Sequence, residues 1–339
     1  MIDYVMRPSR LDDFDALMEL ARRSGVGFTS LPIDEPLIRQ KLQKSEEAFA
    51  GQIDKLHNGK YLMMMEHLET GEVVGCSAVK AGTGIDGPFF NYRIITLAQA
   101  CTATNTRYDM DALVLTNEYV GFTEVGTLFL KEEHRGGGAG RLAAQSRYLL
   151  MACAPERFDE RVLAELRGVV DANGDTPFWE GLGRHFFRMS FQEADYLSAT
   201  TDNRFILNLM PKYPIYIDLL PDDAREVIGR CHNEGIGAFK LLEWEGFSFE
   251  RSVDIFDGGP MMEARRDYIR TYRESRHVRV EAGDASGATG LIANDRLANF
   301  RATLIEGEFV SDEVLVLPKK TLEILDLKSG DTARVWRRS

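Results

Sequence analysis

The chain has 339 residues, 44% of them hydrophobic, enough to fill two cored domains and too many for a disordered or fibrous protein. Its formal charge of -12 leaves no net basic surface to neutralise a phosphate backbone, which excludes nucleic acid as the expected partner. Charges run through the first twenty residues, no run of about 18 apolar residues occurs, and Cys76, Cys101, Cys153 and Cys231 stand singly without C-x-x-C spacing. The expectation is a cytoplasmic protein with no membrane segment, with reduced and mostly core cysteines, and with neither a disulfide framework nor a zinc site.

In chain order, residues 2–7 read as a strand and Ser9 as the cap of a helix whose Leu11, Phe14, Leu17, Met18 and Ala21 keep helical spacing until Gly25. Leu37, Ile38, Leu42 and Phe49 mark a second helix that ends at Gly51. "KYLMMMEHL" and "VVGCSAVKA" make a hairpin around residues 69–72, and "ALVLTNEYV" and "TEVGTLFL" are two further strands. A β-α opening thus leads into mainly antiparallel strands.

A helix follows over residues 142–151, then strand-like "RVLAELRGV", then a helical face of Phe178, Trp179 and Leu182 that Gly183 ends. Past "FILNLMPKYPIYIDLLP" a helix is expected over residues 222–232, and "AFKLLEWEGFSF" echoes "PFWEGLGRHFF" as a short helix stopped by glycine, a sign of internal duplication. After Arg276 the pieces are short, β-rich and separated by glycine turns.

The stretch "RGGGAGRLAAQSRYLL", residues 135–150, sets four glycines just ahead of a helix. A P-loop needs Gly-Lys-Ser/Thr where this chain has Gly140-Arg141-Leu142. A dinucleotide fingerprint fits Gly138, Gly140 and Ala143 poorly, because Gly138 lies eight residues past the strand and Asp159 and Glu160 precede a strand instead of ending one. Arg-x-x-Gly-x-Gly fits at every position, with Arg135, Gly138 and Gly140, and in this the sequence resembles the pyrophosphate loop of the Gcn5-related N-acetyltransferase superfamily. Glycines allow consecutive N-H groups to wrap a diphosphate while the next helix presents its positive end, and coenzyme A carries such a diphosphate.

Longer strings carry a more specific resemblance. "RPSRLDDFDAL", "GVGFTSLP", "GTLFLKEEHRGGGAG", "FWEGLGRHFF", "ADYLS", "LMPKYPIYIDLLP", "LLEWEGF" and "VDIFDGGP" are colinear over roughly residues 5–263 with the bacterial arginine N-succinyltransferase family, including the arginine/ornithine succinyltransferase subunits. The resemblance implies transfer of a succinyl group from succinyl-CoA, a co-substrate and not a tightly bound cofactor, to the α-amino nitrogen of L-arginine, the entry step of arginine catabolism by that route. The implied fold is α+β: a mixed, mainly antiparallel N-acetyltransferase-type sheet flanked by helices. Its expected parts are an acyl-CoA-binding domain over residues 1–200, an α/β portion completing the acceptor site over 201–275 and a β-rich module over 276–339. The chain departs from the family at "NEGIGAF" after His232, at Met261 after "FDGGP" and in the helix after the glycines, which bears on the amine acceptor and subunit type more than on the reaction class.

Acyl transfer from a thioester to an amine needs a neutral amine, a stabilised oxyanion and a leaving thiolate. Glu124, eleven residues before Arg135, sits where the histone-acetylating branch of the superfamily places a general base, and burial on a strand would raise its pKa; the other reading is a carboxylate paired with a cation or facing solvent. His232 matches the histidine taken in the family as proton donor. The backbone at Leu128 and Leu130 is the expected splayed edge for the pantetheine arm, and Arg135, Gly136, Gly137, Gly138, Ala139, Gly140 and Arg141 the expected diphosphate cradle. Ser30, Arg184 and Lys212 are nominated for the succinyl carboxylate, and Asp254 or Asp257 for the guanidinium, although "DIFDGGP" also reads as a tight turn held by aspartates. His185 reads as a packed core histidine, and His57, His67, His134 and His277 lack ligand spacing, so no metal is expected. The rival readings are an ornithine acceptor, another acyl donor, or a silent acyl-CoA-binding subunit; a homo-oligomer or an α/β pair is expected.

Overall fold

The computed structural model describes residues 3–25, 28, 30–52, 59–171, 173–201 and 204–338. His57 lies outside the described residues. In the first part of the chain the strands are β1 (Tyr4–Pro8), β2 (Lys60–His67), β3 (Val73–Lys80), β4 (Asn91–Cys101), β5 (Thr106–Thr116), β6 (Thr123–Leu130) and β7 (Arg161–Glu165). They are followed by β8 (Ile215–Tyr216), β9 (Ser248–Asp254) and β10 (Pro260–Arg265), and then by β11 (Arg276–Ala282), β12 (Gly290–Ala293), β13 (Ala302–Leu304), β14 (Glu308–Phe309), β15 (Val314–Leu317) and β16 (Thr332–Arg337).

Among the described residues these form one sheet in the order β14-β15-β11-β16-β12-β13-β1-β2-β3-β6-β7-β10-β9-β4-β5-β8. All neighbours are antiparallel except β11 with β15 and β6 with β7. The mixed, mainly antiparallel α+β sheet expected from the sequence is therefore present. The strands from β11 onward join the rest where Met6 of β1 faces Ala302 of β13.

The longer helices are α1 (Phe14–Ser24), α2 (Glu35–Phe49) and α3 (Ala139–Cys153); the others are α4 (Arg184–Phe187), α5 (Phe191–Thr200), α6 (Arg204–Leu209), α7 (Asp222–Val227), α8 (Ile236–Glu245), α9 (Arg270–Glu274) and α10 (Lys319–Ile324). Asp34 starts α2 by accepting the Leu37 N-H, with a proline in the first turn. Every residue of α3 from position 142 to 152 is buried, and a helix covered all round belongs in a core. Glu245 at the end of α8, fully buried, accepts from the Thr271 N-H at 2.8 Å, the Thr271 hydroxyl at 2.7 Å and the Gln145 amide at 2.9 Å. It binds α8, α9 and α3 together, and burial raises its pKa above the ordinary carboxylate value.

Several local expectations are corrected. Ser9 does not cap a helix: its hydroxyl donates to Ser45 at 2.9 Å and its N-H to the Leu62 carbonyl at 2.9 Å, tying β1 to α2 and β2. A 3-10 turn over Leu11–Asp13 intervenes before α1 begins. Gly183 does not end a helix, because Trp179–Gly183 forms a π-turn and the helix runs on to Arg188 at φ 57°. A Cβ on Gly183 would lie 2.2 Å from the Trp179 ring, so the glycine serves close packing. His185 is exposed on α4, since Phe187 and Trp179 take the inward positions. Of the cysteines only Cys76 is buried and Cys101 is exposed. Strand β4 is not anticipated by the sequence reading; its outer half is solvent-exposed and lacks apolar alternation.

Arg7 and Asp13 form a buried two-bond fork, 2.8 Å at each contact, and Arg7 also reaches Glu66 at 2.6 Å. Asp13→Ala is expected to remove about 3 kcal/mol of stability by leaving the Arg7 charge short of its partner. Urea unfolding of wild type and variant, compared at unchanged m-value, measures this.

Candidate active site

The site begins with a short parallel contact. β6 and β7 pair through Thr123 with Val162 and Glu124 with Leu163, and their pairing stops there. β6 continues against β3 as far as Leu130, while β7 continues against β10, with Glu165 opposite Met261. The strands part because each is held on its outer side. A cleft of about 840 Å³ occupies the gap, and Leu128 and Leu130 line it. At its wall the β3–β6 register shifts between Cys76 and Ala78, and Thr127 lies in the left-handed region at φ 51°. Such a bulge re-aims the backbone of the strand.

The glycine loop closes one end. Gly136, Gly137 and Gly138 have φ of 120°, 56° and 94°, a sequence open only to glycine at this cost, and α3 starts at Ala139. Arg135, Gly136, Gly140 and Arg141 line the cleft; Gly137, Gly138 and Ala139 shape the loop behind it. The Arg135 Nε donates to the Leu130 carbonyl at 3.3 Å, and Arg141 lies over the Trp244 ring at 5.0 Å, its pKa lowered by burial. One turn and a half further along α3, Arg147 also lines the cleft while only 4% exposed. Its Nε is used by the Ala144 carbonyl at 2.9 Å, and desolvation lowers its pKa.

The other end carries the titratable groups. Glu124 and His232, separated by over a hundred residues, line the same cleft. One Glu124 oxygen receives Lys80 at 3.4 Å and the Thr83 hydroxyl at 3.2 Å, so this carboxylate is paired with a cation as well as facing the cleft. Glu165 also lines it, with no hydrogen-bond or ion-pair partner among the described residues. Burial, then the charges of Glu124 and Asp254, hold its pKa well above the carboxylate range.

Asp254 and Asp257 line the cleft and hold the turn over residues 254–259 at the same time. Asp254 Oδ1 accepts the N-H groups of Phe256 and Asp257, at 2.7 and 2.9 Å, and burial raises its pKa. Asp257 accepts the Gly168 N-H at 2.6 Å and the Gly259 N-H at 2.8 Å, and burial pushes it well above the usual range. Glycine is required at both donors, because a Cβ on Gly168 would meet the Asp257 carbonyl at 2.4 Å and one on Gly259 the Leu166 carbonyl at 2.2 Å.

His232 does not end the helix expected over residues 222–232; it caps the 3-10 turn Asn233–Gly235 that leads into α8. α7 stops at Val227 because Gly229, at φ 72°, turns the chain so that its N-H meets the Gly258 carbonyl at 2.8 Å. The loop then docks on the end of β7, with the His232 N-H on the Arg167 carbonyl at 2.8 Å. The imidazole Nδ1 faces Arg167 Nη2 at 2.7 Å and the Glu234 N-H at 3.3 Å, and Arg167 pairs with Glu234 at 3.1 Å. Burial, then the Arg167 charge, lowers the His232 pKa.

Ser30 lines the cleft, whereas Arg184 and Lys212 are exposed outside it, Arg184 being paired with Glu180 at 2.6 Å. Glu165, Arg167 and Arg147 escaped the sequence reading. The available signal was a charged pair spaced by two at the end of an apolar strand, which places both side chains on one face. Among the described residues no cluster of three or more His, Cys, Asp or Glu residues is arranged to hold a metal, and no helix is long and apolar enough to cross a membrane.

The arginine N-succinyltransferase beta subunit family matches residues 4–271, and the C-terminal domain of that subunit matches residues 276–337. The chain belongs to the arginine N-succinyltransferase family. Arginine N-succinyltransferase of Enterobacter sp. (strain 638) is 41% identical over 98% of the chain and 97% of its own length, and that of Salmonella paratyphi B is 39% identical over the same shares. The structure of arginine/ornithine succinyltransferase subunit AI from Pseudomonas aeruginosa is 33% identical, covers 99% of both chains and superposes with a TM-score of 0.91. The fold of that subunit is thus shared from the first strand to the last.

Gly136→Ala forces a side chain into backbone space that costs about 1–3 kcal/mol outside glycine. Nothing lies within 4 Å of the added Cβ, so the penalty falls on the loop's conformation and not on the core. The expected outcome is coenzyme A affinity weakened by about tenfold, corresponding to 1.4 kcal/mol. Titration calorimetry measures it, with the thermal midpoint as the control.

Proposed function

We propose that the chain transfers the succinyl group of succinyl-CoA to the α-amino nitrogen of L-arginine, releasing N2-succinyl-L-arginine and coenzyme A. The observation that carries this reading is one cleft that holds a glycine diphosphate loop, an open strand edge, Glu124, Glu165 and His232. The loop and the start of α3 take the diphosphate. The edge of β6 past Glu124 takes the amide-bearing arm as an added strand. In this reading the thioester lies toward His232, which lines the same cleft.

The acceptor end is anionic, and L-arginine is cationic at both its amine and its guanidinium. Glu165 and Asp254, which both line this end, attract that charge. An ammonium must lose a proton before it attacks. Glu165, with no partner among the described residues and held well above the ordinary carboxylate range by burial, suits that task better than Glu124, one of whose oxygens is occupied by Lys80 and Thr83.

Purified chain offered succinyl-CoA or acetyl-CoA with L-arginine or L-ornithine is expected to release thiol fastest with succinyl-CoA and L-arginine. Saturable coenzyme A binding without release would assign the chain to a silent subunit instead. Glu165→Gln is expected to lower kcat/KM for the amine by about 10²–10⁴-fold with KM for the acyl-CoA nearly unchanged. Glu124→Gln is expected to cost less, and the reverse ranking would make Glu124 the base.

A further inference from the structure

We infer that His232 works as a neutral imidazole, donating a hydrogen bond from Nε2-H to the carbonyl oxygen of the reacting thioester, with Arg167 as the positioning residue that fixes this state. The inference rests on the acyl-transfer reading above and departs from proton donation by this histidine.

The geometry at Nδ1 decides the tautomer. Both groups facing that nitrogen, the Arg167 guanidinium at 2.7 Å and the Glu234 backbone N-H at 3.3 Å, are obligate donors. Nδ1 therefore presents its lone pair, and the ring proton sits on Nε2. An imidazolium would aim a third N-H at the same point. Nε2 has no protein partner among the described residues, and His232 lines the cleft, so the remaining donor is left for substrate.

The charged groups around the ring agree with this. Arg167 comes from the end of β7 and Glu234 from the ring's own loop; the rest of the charged lining is Glu124, Glu165, Asp195, Asp254 and Asp257, with Arg135, Arg141 and Arg147 toward the glycine loop and α3 and Lys240 on α8. Burial and Arg167 disfavour the cation, and Glu234, the one neighbour that favours it, is itself tied to Arg167 at 3.1 Å. A neutral histidine that polarises a carbonyl is an established catalytic device.

The step balances without His232 changing its protonation. The substrate ammonium gives one proton to a cleft carboxylate, and the amine lone pair forms the C-N bond as the carbonyl π pair moves onto oxygen, where Nε2-H holds it. When that pair returns, the C-S bond breaks and sulfur leaves with the bonding electrons. The proton still in excess on nitrogen reaches the thiolate through solvent, giving amide and thiol, and the first proton passes from the carboxylate to solvent.

The test combines nitrogen NMR of chain labelled with ¹⁵N-histidine and kinetics of variants. Wild-type His232 is expected to be neutral and Nε2-protonated through the pH range of activity, titrating below the ordinary value of about 6.5. Arg167→Met should raise that value and admit the Nδ1-H tautomer, lowering kcat more than it raises either KM. Arg167→Gln, which keeps a neutral donor, should retain the tautomer. His232→Gln, able to donate a hydrogen bond but no proton, should keep about tenfold or more of kcat over His232→Ala. A cationic or Nδ1-protonated His232 at the pH of full activity overturns the inference, as does a glutamine variant no better than alanine. If no thiol is released by any form, the acyl-transfer reading fails by itself, and the wild-type spectrum still decides the tautomer.

Discussion

Two parallel strands that pair for two residues and then part are the constraint from which the rest of this molecule follows. Unpaired backbone N-H and C=O groups are costly inside a protein, so an opened sheet persists only where something else takes up the edge or keeps it wet. Here the opening is enforced from outside. β3 holds β6 through the bulge at Thr127, and β10 holds β7, whose end is clamped where Asp257 accepts the Gly168 N-H. The glycines at 168 and 259 allow those backbones to approach, and Glu245 binds α8 into place along the same cleft.

Charge is distributed along the cleft in a way that the net value of -12 conceals. Arg135, Arg141 and the nearly buried Arg147 lie on the side formed by the glycine loop and α3, and Glu124, Glu165, Asp254 and Asp257 on the side formed by β6, β7 and the turn after β9. Local fields in a low-dielectric cleft outweigh the average surface charge. On the proposed function, an anionic acyl carrier and a cationic amino acid are attracted to opposite sides of this cleft.

What was legible in the sequence follows the range of the interactions involved. The glycine loop at residues 135–140 was readable because a run of glycines turning the chain into a helix is a local feature. The first helices, the hairpin at residues 69–72 and α3 were readable for the same reason. His232 was found through resemblance alone, and its surroundings were misread, because only the docking of its loop on β7 and the turn at Gly258 shows that α7 stops early. Glu165 and Arg167 were invisible because a single acid in an apolar strand looks like an edge position until its neighbours across the cleft are known. The π-turn at Trp179 belongs to the same class, since its wide ring is set by a tryptophan packed on Gly183 and not by any local propensity.

The central claim, that the open edge of β6 receives the acyl-CoA arm, is tested most directly by amide hydrogen exchange across residues 125–130 with and without coenzyme A. Exchange reports local opening and the gain of hydrogen bonds at individual amides. The account predicts slower exchange in this segment on binding, together with protection at residues 136–140. Unchanged exchange in residues 125–130, at coenzyme A concentrations shown by calorimetry to saturate the chain, would contradict it.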